Sequence, residues 1–309
     1  MQNFVPSKNR KMKIIITGSL GHISKPLTEM LVQKEHAVTV ISSKPEKQKD
    51  IEALGATAAI GSLQDVDFLT ASFTGADAVY TMVPPTDYMN PGLDLMAYCS
   101  SIADNYAQAI QKSGVKRVVH LSSIGAHLDK GTGLILAHRA VEVTLNNLPN
   151  VAITYMRPTA FYYNLYSFLP AIKKTGMISS NYGAGDKVAW VSPIDIAAAI
   201  AEEIVTPLTG RKVLYVASEE LTGHEVAGIL GAAIGKPDLK WIVITDEQMQ
   251  SRLEAFGMPA QTAAAFTEMN ASIHTGELFQ DYYLNRPRAL GKVKLADFAK
   301  EFAAAFKQN

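Results

Sequence analysis

The stretch "TGSLGHIS", residues Thr17 to Ser24, decides how the rest of the chain is read. It follows the apolar run Met12 to Ile16 and has the form of a strand turning into a helix. Glycine at 18 permits a tight turn there. Glycine at 21 lets a pyrophosphate approach backbone amides at a helix N-terminus, where the peptide dipoles favour an anion. The spacing is G-x-x-G-x-x-S, so Ser24 stands where a third glycine would let helix and strand pack closely. A serine adds only a hydroxymethyl group, free to bond either a phosphate or a nearby backbone group. Pro26 suits a first helical turn, where an amide has no intrahelical partner. The competing reading is a glycine-rich turn that holds no cofactor.

Outward from this turn, β-rich runs alternate with helical ones as far as about Val216. Strands are expected at 13–17, 37–42, 56–60, 77–83, 117–123, 152–157 and 212–217. Helices are expected at 23–33, 45–54, 64–73, 94–112, 134–147 and 193–205. Near-continuous apolar strands in this alternation predict an α/β fold with a doubly wound parallel sheet, the Rossmann fold, whose ligands lie outside the carboxyl ends of the strands. Residues 12–217 are read as that NAD(P)-binding domain. Residues 218–309, rich in Ala and Met at helical spacing, are read as a smaller C-terminal substrate lobe, joined by the Tyr-rich segment 161–186.

Composition narrows the function. Of 309 residues, 48% are hydrophobic and 19% charged, which predicts a soluble protein with a sizeable core. Basic and acidic residues balance at 29 each, so no overall field gathers nucleic acid or an anionic membrane. The one cysteine, Cys99, excludes an internal disulfide framework and a multi-Cys metal site and suits a reducing cytoplasm. No apolar stretch approaches the roughly 18 residues of a membrane span. Residues 1–11, polar and basic, are expected to be a disordered tail and not a signal peptide. The histidines form no H-x-x-x-H or H-E-x-x-H pair, so no metal site is expected, and no G-x-S-x-G elbow occurs. GAAIGKP (231–237) lacks the spacing, the Ser or Thr and the preceding strand of a phosphate loop.

The second strand ends in SSKPEK. An acidic residue there would bond the ribose 2′-hydroxyl of NAD and repel a 2′-phosphate; Ser42, Lys44 and Lys47 favour NADP(H) instead. The plain alternative is that both lysines are solvated at a helix start.

Taken in order, "TGSLGHIS", "GSLQDVDFLTASFTGADAVYTMVPP", "GVKRVVHLSSIGA", "HRAVE", "MRPTAFYYN" and "VSPIDIAAAIAEEI" resemble the atypical short-chain dehydrogenases of the NmrA-like group, especially its NAD(P)H quinone oxidoreductase branch. The resemblance covers residues 12–217 and, more loosely, the ending RPRALGKVKLADFAKEF. It implies pyrophosphate binding at Gly18, Leu20, Gly21, His22 and Ile23, adenine contact at Leu63, and ribose contact along Met82, Val83 and Pro84. Ser122, His138, Arg157, Pro158 and Phe161 complete the implied cofactor contacts.

The same resemblance exposes an absence. Ordinary members protonate the substrate oxygen with the Tyr of Tyr-x-x-x-Lys, whose Lys lowers the phenol's pKa and holds the nicotinamide ribose. Here Leu134 takes the Tyr position and His138 the Lys position. The quinone-reductase branch also has His there, and its R-N-x-x-Y-x-E-N segment corresponds to MRPTAFYYN, with Arg157 and Asn164 retained and Tyr163 replacing Glu.

Hydride delivery to an isolated ketone makes an alkoxide whose conjugate acid has a pKa near water's, about 15.7; delivery to a quinone makes a phenolate-like anion, near 10. The gap of roughly 6 units is about 8 kcal/mol of proton affinity. A conjugated acceptor therefore manages with hydrogen-bond donors, for which His138, Asn164 and Tyr163, with Tyr162, are the candidates. Each has a plainer role open to it: His138 as a ribose ligand or structural residue, the tyrosines as core or interface aromatics. Ser122 and Ser123 either meet substrate or satisfy local backbone, and Asp195 reads as a helix cap. The expected function is NADPH-dependent reduction of a small quinone-like or other conjugated acceptor, by a monomer or homodimer. The alternative is a catalytically silent NADP(H)-binding redox sensor of the NmrA type; a sugar epimerase would need the missing Tyr.

Overall fold

The computed structural model describes residues 10–308. Residues 1–9 of the expected tail lie outside the described residues, whereas Arg10 pairs with Asp77 at 2.9 Å. The strands are β1 (Lys13–Ile16), β2 (Ala37–Ser42), β3 (Thr57–Ile60), β4 (Ala78–Met82), β5 (Arg117–Leu121), β6 (Ala152–Pro158), β7 (Ala160–Phe161), β8 (Met177–Ser180), β9 (Lys187–Val191), β10 (Arg211–Val216), β11 (Glu219–Thr222) and β12 (Lys240–Val243). The helices are α1 (Ser24–Gln33), α2 (Gln48–Ala53), α3 (Val66–Phe73), α4 (Leu95–Ser113), α5 (Leu136–Asn146), α6 (Leu169–Thr175), α7 (Pro193–Glu203), α8 (Gly223–Ala233), α9 (Asp246–Ala255), α10 (Ala260–His274), α11 (Gln280–Leu284) and α12 (Leu295–Gln308).

Seven parallel strands form the central sheet in the order β10-β6-β5-β4-β1-β2-β3. Alternation of side chains divides each strand between two helix-covered faces. Ile14, Ile16, Tyr80 and Met156 pack with Leu27 of α1 and Ile196 of α7, while Ile15, Val79, Val118 and Ile153 pack with Ile102 of α4 and Val141 of α5. This is the doubly wound Rossmann-type architecture. Strand order reverses between β1 and β4, and the crevice at that switch point opens at the carboxyl ends of the strands.

The chain after Val216 departs from the expectation of helices alone. A three-stranded sheet, β11-β9-β7, and the pair β12-β8 join it to segment 160–191. These strands are two to five residues long, too short for periodicity to declare them. Their shared core holds Tyr162, Trp190, Trp241, Phe279, Tyr282 and Phe302.

Asp195 differs from its expected role. The cap of α7 is Ser192, whose Oγ accepts from Ile194 N at 3.2 Å. Asp195, 8% exposed, accepts instead from Ser218 Oγ (2.6 Å), Lys292 N (3.0 Å) and Val293 N (3.1 Å). It thus clamps the segment that leads into α12. Glu219 completes the clamp, accepting from Tyr162 Oη at 3.0 Å and Leu295 N at 2.5 Å.

A polar residue also lies within the sheet. His120 on β5 is fully buried, with Nδ1 2.9 Å from Thr81 Oγ1 on β4. Burial, and secondarily His138, pushes its pKa down to about 3, so the folded protein holds it neutral.

Two expectations follow. Replacing Asp195 by Ala strands three donors and is expected to cost about 3–5 kcal/mol in urea unfolding. Below its ordinary pKa of 6.5, His120 takes a proton only in the unfolded chain, so stability falls as pH drops from 6.5 towards 3. Urea unfolding near pH 5 should show about 2 kcal/mol less stability than near pH 7 from this residue alone, and an unchanged midpoint would contradict the assignment.

Candidate functional site

The turn after β1 is held from three sides. Ser24, buried at the first residue of α1, donates its hydroxyl to Thr17 O at 2.8 Å, which settles the choice left open by the sequence in favour of the backbone. Gly18 has φ +90°, and a Cβ there would lie 2.6 Å from Ser24 Oγ and 3.2 Å from Met82 Sδ. No side chain fits. Ser19 N donates to Ile41 O at 3.0 Å and Ser19 Oγ to Ser42 Oγ at 2.9 Å, tying the turn to β2, while Met82 N donates to Thr17 Oγ1 at 3.2 Å, tying it to β4.

Those contacts leave part of the turn open. Among the described residues, no protein group accepts from the amides of Leu20, His22 or Ile23. Gly21 and His22 are exposed, and a hollow of about 410 Å³ is lined by Leu20, Gly21, His22, Lys25, Pro26, Glu29 and Ile194. A larger hollow of about 620 Å³, between Tyr166–Lys173 and Ala305, lies away from this edge and holds none of the expected site residues. Ile23 itself is buried, so only its backbone is available.

The other expected cofactor contacts meet at the same sheet edge because parallel strands place all their carboxyl ends together. Ser42 is buried and accepts from Lys44 N at 3.1 Å as well as from Ser19, which makes it a structural hinge of the β2 loop. Lys44 is exposed, and Lys47 pairs with Asp50 at 3.1 Å. Leu63 is held by Asn105 Nδ2 on its carbonyl at 3.1 Å. Met82, Val83 and Pro84 leave β4 half-buried, with Tyr106 Oη bonding Met82 O at 2.8 Å.

Two polar residues differ from expectation. Ser122 Oγ donates to Glu142 Oε1 at 2.5 Å, and Arg157 grips the same carboxylate through Nε (2.9 Å) and Nη2 (2.6 Å). Arg157 Nη1 continues to Tyr215 Oη at 3.2 Å, and Tyr215 bonds Asp281 of α11. Both residues are buried, at 3% and 6% exposed, so they brace β5, α5, β6 and β10 from within instead of presenting donors to a ligand. Pro158 is buried beside them.

The aromatic segment divides similarly. Tyr162 is consumed by the core and Glu219. Tyr163 stacks on Phe161 (centroids 4.9 Å apart, 27°) and on His22 (5.1 Å, 29°), forming a ladder against the glycine turn. Burial, then the neighbouring Tyr88, pushes the Tyr163 phenol up to about 12, so it is a neutral donor with no lysine to activate it. Asn164 is exposed.

At the missing-tyrosine position, α10 closes over the chain. Gly133 N donates to Glu268 Oε2 at 3.1 Å, and a Cβ on Gly133 would fall 1.9 Å from Ala265 O. Leu134 is half-buried beside it. His138 follows on the first turn of α5 and keeps some surface, yet its Nδ1 is buried without a partner among the described residues, which leaves Nε2 as the ring nitrogen open to a ligand. Burial lowers its pKa, against a smaller upward pull from Glu142, so it is neutral at pH 7. Tyr88 and Phe266 meet edge to face (5.2 Å, 81°) where the β4 loop reaches α10; neither was singled out in the sequence, where the only signal is an aromatic in the polar run after Pro85. Among the described residues no group of His, Cys, Asp and Glu could hold a metal, and no helix is long and apolar enough to cross a membrane.

Comparison with known proteins places this geometry. The chain is 27% identical over 298 residues to an NAD(P)H azoreductase of Xenophilus azovorans, covering 95% of this chain and 99% of that one. Its fold is similar to that of an NADPH-dependent quinone oxidoreductase from Escherichia coli solved with NADPH (TM-score 0.77, 22% identity, 94% and 99% of the two chains). A Citrobacter triphenylmethane reductase solved with NADP(H) is also similar (TM-score 0.73, 21% identity, 94% and 99%). The NmrA-like family model matches residues 10–302, from before the first strand into the last helix, and the chain belongs to the NmrA-like family.

Proposed function

We propose that the protein is an NAD(P)H-dependent oxidoreductase that passes a hydride to a quinone, azo or similarly conjugated acceptor, with NADPH preferred. The observation that carries this reading is the adjacency of two features at one edge: free amides at the start of α1 and the aromatic ladder Phe161–Tyr163–His22. The first fits a dinucleotide pyrophosphate, since a side chain at Gly18 would fill the turn. The second fits a flat conjugated acceptor. The related azoreductase, quinone oxidoreductase and triphenylmethane reductase support the reaction class.

When bound, the nicotinamide supplies the hydride. The chain's own residues do the rest. Amides of Leu20, His22 and Ile23 hold the pyrophosphate, while Met82, Val83 and Pro84 line the ribose side and Leu63 the adenine side. In this reading the exposed Lys44 meets the 2′-phosphate, while Lys47 is paired with Asp50. His138 Nε2 donates a hydrogen bond to the heteroatom that gains charge, and the proton that neutralises that atom comes from solvent water. Tyr163 and Asn164 add neutral donors around the acceptor. Ser122 and Arg157 act one layer back by fixing Glu142 and the α5 helix that bears His138. No tyrosine acid is required, because the charge delocalises over the conjugated acceptor.

Two measurements test this. Lys44→Ala is expected to weaken NADPH binding about tenfold and leave NADH unchanged by titration; equal affinities in both proteins would refute the 2′-phosphate contact. His138→Ala is expected to lower quinone-dependent kcat on the order of 100-fold at unchanged NADPH affinity, and full turnover would remove His138 from the reaction.

A further inference from the structure

Behind His138 lies a buried polar pair that the reaction described above does not use. His120 sits in register between Thr81 on β4 and Tyr155 on β6, and all three share the sheet face covered by α5. The Tyr155 ring stands edge-on to the His120 ring at 6.3 Å and 78°. Tyr155 Oη bonds Glu142 O at 3.2 Å and Asn146 Oδ1 at 2.8 Å, which fixes α5 over this row of side chains. His138 is one helical turn before Glu142 on the same helix stripe.

Among the described residues, two ring nitrogens in this layer are buried with no partner: His120 Nε2 and His138 Nδ1. Buried nitrogens of this kind are rare unless a water or neighbouring group serves them. The charge of one ring disfavours protonation of the other, as expected for neighbours. From this juxtaposition we propose that Thr81 and His120, through one ordered water, hold His138 in the single tautomer that carries its proton on Nε2. The proposal rests on the reading of His138 as the donor to the acceptor.

The polarity follows from counting hydrogens. Among the described residues, the Thr81 hydroxyl has one hydrogen-bond partner, His120 Nδ1 at 2.9 Å. A buried hydroxyl hydrogen with no acceptor is the costlier arrangement, so Thr81 donates and Nδ1 accepts. His120 is neutral and has one ring proton, which must then be on Nε2. Nε2 donates to the water, the water donates to His138 Nδ1, and the His138 proton is left on Nε2, the nitrogen open to a ligand. Thr81 and His120 are positioning residues. Neither gives up a proton during the reaction.

Nitrogen-15 NMR of the histidine rings in the cofactor-free protein reads the tautomer directly, without any turnover. In the natural sequence His138 should show a protonated Nε2 and an unprotonated Nδ1 as one population. Thr81→Val keeps the shape and removes the hydroxyl; it should give a mixture of His138 tautomers and lower quinone-dependent kcat about tenfold, and Thr81→Ser should restore both. His120→Phe, which keeps the edge contact with Tyr155, should reproduce the Thr81→Val result. A His138 proton on Nδ1 in the natural sequence, or an unchanged tautomer in Thr81→Val, would overturn the relay. If His138→Ala abolishes turnover while Thr81→Val leaves tautomer and kcat alone, the relay falls and the reaction proposed above stands.

Discussion

The hydrogen bond from Ser24 Oγ to Thr17 O, 2.8 Å long and buried, is the constraint on which the site depends. It draws the first turn of α1 against the end of β1 so closely that position 18 has no room for a side chain. With Thr17 bonded to Met82 and Ser19 bonded to Ser42, one turn locks three strands at the switch point of the sheet. Among the described residues the amides of Leu20, His22 and Ile23 have no protein acceptor, and a helix of ten residues follows them. The serine that replaces the usual third glycine thus does a glycine's work by another route, holding the helix close through a bond instead of through absence of bulk.

Buried ion pairs brace the two ends of the sheet. At the amino end, Arg117 of β5 pairs with Glu203 of α7 at 2.9 Å. At the carboxyl end, Arg157 and Glu142 pair at 2.6 Å and extend through Tyr215 to Asp281. A buried pair gains little net stability over apolar packing, but removing one partner leaves a charge stranded at a cost of about 3–5 kcal/mol. Their effect is to fix geometry: Glu142 sets the rotation of α5, and with it the place of His138. Asp195 and Glu219 do the same for the C-terminal segment, drawing it against α7 and β11.

The central sheet was legible because its strands are buried on both faces and therefore read as unbroken apolar runs, with Gly18 and Gly21 marking the turn. The small strands Glu219–Thr222 and Lys240–Val243 were not, since four residues carry too little alternation to separate them from loop. Ser122 and Arg157 looked like ligand contacts because their partner, Glu142, lies 20 and 15 residues away and only folding brings it near. Asp195 looked like a cap because it opens a helix; its partners are 23 to 98 residues distant. Thr81 and His120 sit inside an apolar strand pattern that gives no sign of their pairing across β4 and β5.

The central claim is that a cofactor held on the β1 turn reduces a conjugated acceptor although Leu134 stands where the acid would be. The most direct test is an anaerobic single turnover with NADPH, deuterated or not at the transferred position, and a simple quinone. The account predicts that the 340 nm absorbance is lost with one quinol formed per NADPH, and that deuterium slows the step. Tight NADPH binding with no loss of absorbance would contradict it and leave a protein that senses the cofactor without using it.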